Sequence, residues 1–427
     1  MLTRMNRIGF CMVVMGWMIF RMTALAQETS GQSPLPAPTG PYSVGRTHFD
    51  WIDQSRPDPD SPSKHREIVV WVWYPASPKP GLESAQWMPG KWGELFWPEY
   101  VAKKLAKETL AEAAEKVKEH PISAIRTHSY TDAPIASALK KYPVLLFEPG
   151  LGDLPLMYAT LIEDLVSHGY IVAGAIPTYY TQFTVFSDDR AVVAQKTSPS
   201  PPPGSEKRTS ESQKAFPSPA GPTIYLTPEQ ERAFKNQREQ LRVSIFHVWT
   251  GDMIFTLNQL EKLDADARSQ FKGRLDLKHT GAFGHSFGGG ASFQAAKDDA
   301  RVVAALDLDG TLLGDVADGG LLKPLLLFVH PFAGWQTYAP SVIQGGKPGY
   351  EIALAGSTHY FSSDLGLMPF LPQTVKAQMG SIDPTRALTI TKAYVEAFFG
   401  EYLTGKKSSL WDGPSPEYPE ITFGTAK

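Results

Sequence analysis

Short apolar runs alternate with helical stretches through the middle of the chain. Residues 143–147 (PVLLF) and 170–176 (YIVAGAI) have the pattern of buried strands. An amphipathic helix predicted over 155–168, with Gly169 as its C-cap, joins them. A strand, a helix and a second strand, with wholly apolar strands, predict a parallel sheet. Further strands are expected over 66–74, 280–283, 304–308, 324–329 and 350–355.

Two longer segments have helical patterns. Residues 99–119 are rich in Ala, Lys, Glu and Leu and should form a helix that ends before Pro121. Residues 228–263 carry apolar side chains at helical spacing. Between them, a proline- and serine-rich stretch near 195–223 is too polar to pack and predicts a disordered surface insertion, because the sheet pattern resumes after it.

The ends of the chain differ from this pattern. Residues 27–42 are rich in Pro, Ser, Gly and Gln and predict a disordered leader. Residues 43–412 should form one domain, and residues 413–427 a C-terminal tail.

The first 26 residues have the three parts of a signal peptide. Arg4 and Arg7 precede an uncharged apolar run from Ile8 to Phe20, and Ala24-Leu25-Ala26 supplies a small-x-small cleavage signal. The alternative, a membrane anchor, would need roughly 20 apolar residues. The pattern therefore predicts a secreted or periplasmic protein.

Composition removes several classes of function. The net charge of -3 gives no electrostatic reason to expect a nucleic-acid partner. Cys11, the single cysteine, lies inside the predicted signal peptide, so cleavage would leave no disulfide, thiol nucleophile or thiolate metal site. Aromatic residues concentrate in 87–100, which predicts either a loop packed on the core or an apolar wall or lid that meets lipid transiently.

The sequence Gly284-His285-Ser286-Phe287-Gly288 is a G-x-S-x-G motif. An apolar strand precedes it and a helix of small residues follows, which is the setting of a nucleophile elbow. There the serine lies on a strained turn that lifts its hydroxyl above the sheet. The motif in this setting predicts the α/β-hydrolase fold, with a mostly parallel central sheet and helices on both faces, and Ser286 as the nucleophile.

The nucleophile needs a histidine base and an acid, which follow it in this fold in the order acid, then histidine. His359, in the loop after the last predicted strand, is preferred to His330, which ends the strand before. Residues 331–346, which follow His330, contain no aspartate or glutamate. The acid is therefore sought at Asp309, with Asp307 as the alternative, since alternation puts both on one face of their strand.

The oxyanion hole needs two backbone N–H groups. Phe287, the residue after the nucleophile, supplies one, and Leu151, in the Gly150-Leu151-Gly152 turn after an earlier strand, is expected to supply the other.

These blocks resemble the plasma-type platelet-activating-factor acetylhydrolases and their bacterial relatives. The resemblance covers roughly 140–365 and rests on 142–152, on LVSHGYIVA over 165–173, on the elbow, and on Gly356-Ser357-Thr358-His359. It implies calcium-independent cleavage of short or oxidised sn-2 acyl chains, and an acid from the strand after the elbow helix. The animal pattern Ala-Leu-Asp aligns with Asp307 and the bacterial Leu-Asp-Gly with Asp309, and Glu148-Pro149 replaces the animal Ser-His.

The expected protein is a carboxylic-ester hydrolase that works through an acyl-enzyme on a small-molecule or lipid ester. No cofactor or metal is implied. A general short-chain carboxylesterase, a polyester or cutin hydrolase, and an inactive hydrolase fold used for binding are the alternatives.

Overall fold

The computed structural model describes residues 33–59, 61–105, 107–194, 206–208, 223–225, 228–310, 312–332 and 349–424. The predicted signal peptide over 1–26 lies outside these ranges, as does most of the predicted insertion. The described helices include none that is long and apolar enough to cross a membrane.

A ten-stranded sheet forms the centre of the molecule, in the order β14-β13-β12-β11-β10-β4-β5-β2-β1-β3. Its six central strands, from β13 to β5, are parallel to their neighbours, while β2 and β14 join the block antiparallel. The strands of this sheet are β1 (Ser43–Pro57), β2 (His65–Ala76), β3 (Ser129–Thr131), β4 (Tyr142–Glu148), β5 (Ile171–Ile176), β10 (Leu275–His285), β11 (Val302–Leu308), β12 (Leu325–Val329), β13 (Gly349–Leu354) and β14 (Ile421–Phe423). Two short pairs lie apart from it: β6 (Phe183–Val185) with β7 (Ala191–Val193), and β8 (Glu206–Arg208) with β9 (Thr223–Tyr225).

Helices cover both faces of the sheet. The described α-helices are α1 (Lys91–Leu95), α2 (Ala102–Lys104), α3 (Lys107–Glu119), α4 (Ala159–Ser167), α5 (Pro228–Ala265), α6 (Phe287–Asp298), α7 (Asp315–Gly319), α8 (Gln373–Lys376) and α9 (Pro384–Thr404). On β4, Leu145 and Phe147 pack with α4 and α9, whereas Val144 and Leu146 pack with α5 and α6. Because successive strand residues face opposite sides, an uninterrupted apolar run supplies both cores.

The predicted amphipathic helix over 155–168 is corrected in two respects. It begins as a 3₁₀ turn, Pro155–Tyr158, and α4 is buried along its whole length. Its polar side chains have partners: Asp164 accepts from the Thr39 amide at 2.9 Å and pairs with Lys392 at 3.0 Å. The buried Asp364 carboxylate accepts the first two amides of α4, at 2.8 and 3.2 Å.

The same contacts correct the predicted disordered leader over 27–42. Its later part packs on α4, where the Gly40 amide donates to the Ser167 hydroxyl at 2.9 Å and Leu35 is buried. The predicted tail over 413–427 also contributes to the fold, because β14 pairs with β13 and buries Ile421. The domain therefore extends beyond 43–412 at both ends.

Most of the aromatic stretch over 87–100 packs on the core, as one of its interpretations expected, while a transient contact with lipid stays a prediction. Trp87, Trp92, Phe96 and Tyr100 are all buried. The helix predicted over 99–119 is interrupted, because Leu105 adopts an extended conformation between α2 and α3. A π-helical turn, Phe96–Val101, precedes α2.

Candidate active site

The elbow joins β10 to α6 as the motif predicts. Ser286 has a φ of 56°, the strained left-handed conformation, and stands at the N-terminus of α6. A Cβ atom on Gly284 would lie 2.3 Å from the Gly288 carbonyl carbon, and one on Gly288 would lie 2.3 Å from the Glu148 carbonyl oxygen. Both glycines of the motif are therefore required by close backbone contacts.

Three segments bring the predicted catalytic side chains together. The Ser286 hydroxyl lies 2.9 Å from Nε2 of His359, and Nδ1 of His359 lies 2.5 Å from Oδ2 of Asp309. Ser286 leads α6, Asp309 follows β11 and His359 lies in the loop after β13. In this arrangement the histidine can take the serine proton while the carboxylate orients its ring.

Asp309 accepts hydrogen bonds from a second histidine, the alternative base His330. The amide and Nδ1 of His330 donate to Oδ1 of Asp309 at 2.8 and 2.7 Å. Burial alone would raise the pKa of Asp309, but the hydrogen bonds from His330 and His359 outweigh it and hold that pKa well below its ordinary value. The hydrogen bond to Asp309 raises the pKa of His330 above its ordinary value. The carboxylate therefore stays ionised between two imidazoles.

These three residues also have the side chains of a metal site. One ligand atom from each of Asp309, His330 and His359 lies within 4.8 Å of the others. In each histidine, however, Nδ1 points at the carboxylate at hydrogen-bond distance. A metal ion in this cluster would have to replace the protons that hold the histidines on Asp309.

Asp307, the alternative acid, lies in a different environment. Its carboxylate is fully buried against Gly289 and Gly310, where an added Cβ atom would lie 1.8 and 2.0 Å from Oδ1. Burial and the nearby charge of Asp309 raise the pKa of Asp307 well above its ordinary value. The surroundings of Asp307, behind the elbow, thus favour its protonated form. The expectation that both aspartates share one face fails, because Asp309 leaves the strand with a φ of 58°.

The backbone amides of Leu151 and Phe287 remain the candidates for the predicted oxyanion hole. In the turn after β4, the Gly152 amide donates to Tyr180 O at 2.9 Å and the Asp153 amide to Gly150 O at 2.8 Å. The Leu151 amide between them has no backbone acceptor among the described residues. Phe287 is the first residue of α6, so its N–H has no partner inside the helix. Its ring packs 5.1 Å from that of Trp249 on α5, which fixes this end of α6.

The sequence analysis assigned no role to His285, which points into the core beneath the elbow. Its Nε2 lies 2.7 Å from the backbone oxygen of His359 and its Nδ1 lies 2.7 Å from the Tyr158 hydroxyl. The one indication in the sequence that His285 has a role is its place inside the motif, next to the strained serine. Its partners come from distant parts of the chain, so spacing could not identify them.

A cavity of about 540 Å³ lies beside the His359 loop. Tyr360 and Phe361 line one side, and residues from 373–387, including Lys376, line the other. The Tyr360 ring lies 5.4 Å from that of His359. A space of this size is typical of small-molecule sites.

Known proteins match this chain over most of its length. Over residues 27–183 and 228–417 the chain matches the family described as platelet-activating factor acetylhydrolase, isoform II. A probable 1-alkyl-2-acetylglycerophosphocholine esterase of Arthroderma benhamiae is 26% identical over 96% of this chain and all of the relative. A platelet-activating factor acetylhydrolase of Cavia porcellus is 23% identical over 96% of this chain and 88% of the relative.

A solved structure supports the fold. A ferulic acid esterase from Streptomyces cinnamoneus superposes with a TM-score of 0.67 and 24% sequence identity, covering 92% of this chain and 99% of that one. The predicted α/β-hydrolase fold is thereby confirmed. Because the family match extends over well more than half of the chain, the protein belongs to the platelet-activating factor acetylhydrolase, isoform II family and is an ester hydrolase.

Proposed function

We propose that this enzyme removes a short acyl chain from the sn-2 position of a glycerophospholipid, through an acyl-enzyme on Ser286. The observation that carries the mechanism is the line of hydrogen bonds from Ser286 through His359 to Asp309, at 2.9 and 2.5 Å. The names of the two relatives, an alkyl-acetylglycerophosphocholine esterase and an acetylhydrolase, favour the substrate class.

The first half-reaction transfers the acyl group to the enzyme. Oγ of Ser286 attacks the ester carbonyl carbon while its proton moves to Nε2 of His359. The carbonyl oxygen becomes an oxyanion that the amides of Leu151 and Phe287 stabilise. The bond to the alcohol oxygen then breaks, and His359 returns the proton to the leaving lysophospholipid.

The second half-reaction is hydrolysis. Water gives a proton to His359 and attacks the acyl carbon, after which Ser286 recovers its proton and the carboxylic acid leaves. Asp309 holds His359 with Nδ1 protonated and stabilises the imidazolium that forms in both steps. It does not take up a proton itself.

A chain-length series tests the proposal. Wild type and Ser286→Ala are compared on p-nitrophenyl esters from acetate to palmitate and on glycerophosphocholines with acetyl or palmitoyl at sn-2. The expected result is a preference for short acyl chains on both scaffolds and a loss of at least about 10³-fold in kcat for Ser286→Ala.

Two results would contradict it. Full activity of Ser286→Ala would refute the assignment of Ser286 as the nucleophile. Equal labelling of wild type and Ser286→Ala by a fluorophosphonate probe would refute it as well. Activity on the p-nitrophenyl esters with none on acetyl glycerophosphocholine would reject the phospholipid substrate and leave a general short-chain carboxylesterase.

A further inference from the structure

His285 makes two hydrogen bonds from a fully buried position. Nε2 lies 2.7 Å from the backbone oxygen of His359, and Nδ1 lies 2.7 Å from the hydroxyl of Tyr158. A carbonyl oxygen can only accept, so the ring proton is on Nε2. Nδ1 of the neutral ring is then an acceptor, and it shares the Tyr158 hydroxyl with the Asp153 carboxylate.

The hydrogen bonds continue into the turn that carries Leu151. The Tyr158 hydroxyl interacts with the Gly150 amide and lies 3.1 Å from Oδ2 of Asp153. Tyr100 donates to Oδ1 of the same carboxylate at 2.7 Å. A Cβ atom on Gly150 would lie 2.9 Å from Nδ1 of His285, so the turn sits directly against the histidine ring.

We propose that His285, together with Tyr158, is a positioning residue that fixes the backbone of His359 and the turn carrying Leu151 relative to Ser286. The inference rests on the function proposed above. His285 is the residue before Ser286, so its bonds tie the His359 loop and the turn carrying Leu151 to the elbow itself. His359 lies in a loop rather than a strand, and a displacement of about 1 Å in such a group can cost about 100-fold in rate.

The charge state of His285 suits a fixed support. Burial lowers the pKa of His285 below its ordinary value, chiefly because a charged ring would lose its hydration there. The neutral ring donates its Nε2 proton to the His359 carbonyl. The effect of His285 is thus on geometry and not on the net charge of the site.

Four variants test the role. His285→Phe keeps a ring and removes both hydrogen bonds, whereas His285→Gln restores an N–H that can reach the His359 carbonyl. Tyr158→Phe removes only the hydroxyl. Tyr142→Phe is the matched control, because Tyr142 is also buried, donates to Ala136 O at 3.0 Å, and lies at the opposite end of β4 from the turn.

The measurement is kcat and KM on p-nitrophenyl acetate, with thermal unfolding to confirm that each protein is folded. We expect His285→Phe to lower kcat about 100-fold and Tyr158→Phe about 10-fold, with KM within about two-fold of wild type. His285→Gln should recover most of the loss, and Tyr142→Phe should match wild type. The loss in the double variant should be smaller than the product of the two single losses, because both substitutions remove the hydrogen bond between Tyr158 and His285.

A folded His285→Phe with wild-type kcat would overturn the proposal, as would a rise in KM alone. If His285→Phe does not fold, Tyr158→Phe decides: a kcat equal to that of Tyr142→Phe overturns it. Ser286→Ala separates the two proposals, because its full activity would refute the proposed function. An inactive Ser286→Ala beside an unimpaired His285→Phe would refute the positioning role alone.

Discussion

Replacing Asp309 with asparagine tests the assignment of the acid, and the structure predicts how the substitution acts. Oδ1 of Asp309 accepts the backbone amide of His330 at 2.8 Å, and a backbone N–H can only donate. The asparagine oxygen must therefore occupy that position, which turns its NH₂ group towards Nδ1 of His359. That nitrogen would then accept, and the ring proton would move to Nε2. A histidine with Nε2 protonated cannot take the proton of Ser286.

The expected loss follows from this tautomer. In a serine protease triad the same exchange lowers kcat about 10⁴-fold while leaving the geometry intact. Four factors of ten, at about 1.36 kcal/mol each, correspond to about 5.4 kcal/mol of transition-state stabilisation. KM should change little, because Asp309 is buried and reaches Ser286 only through His359.

The assay is kcat and KM on p-nitrophenyl acetate, with Asp307→Asn as the matched control. Burial and the charge of Asp309 favour the protonated form of Asp307, so its exchange for asparagine should leave kcat within about three-fold of wild type. A loss of less than about ten-fold for Asp309→Asn would refute the tautomer argument. An equal loss of kcat in Asp307→Asn would assign the role of the acid to Asp307 instead.

Two further predictions concern stability. Asp364→Ala removes the carboxylate that accepts the first two amides of α4 and should lower the free energy of unfolding in urea by about 2 kcal/mol. Glu112→Ala, at an exposed position of α3, should change it by less than about 0.5 kcal/mol, and equal effects would exclude the capping role. Asp309 raises the folded-state pKa of His330, so the interaction between them stabilises the folded protein. This stabilisation should be complete below the unfolded-state pKa of about 6.5 and should be lost as pH rises through the higher folded-state pKa. The stability difference between wild type and His330→Gln should therefore shrink at high pH, and a difference independent of pH would contradict the assignment.

The sequence predicts those parts of the fold in which burial requires a local pattern of apolar residues. The strands β4 and β5 are apolar throughout because both faces are covered, and each was predicted within one residue of its observed bounds. The break at Leu105 was missed, because helix propensity continues across it. The leader over 27–42 looked disordered because its partner, the buried Asp164 on α4, lies more than a hundred residues away.

The candidate site shows the same division. The motif predicted the strained Ser286, and chain order led to His359, since both depend on local sequence and on the topology of the fold. The role of His285 depends on Tyr158 and on the His359 backbone, which no spacing along the chain reveals.

Asp307 and Asp309 show why the acid in particular needed the structure. Two carboxylates this close cannot both ionise at low cost. Hydrogen bonds from two histidines favour the charged form of Asp309, whereas burial favours the protonated form of Asp307. Asp309 receives hydrogen bonds from His330 and His359, while Asp307 is enclosed by glycine backbone. Those donors follow β12 and β13 and meet Asp309 only because its left-handed φ turns it out of β11. The acid is therefore selected by groups that residues 304–310 do not contain, and a reading of that segment alone leaves both aspartates equivalent.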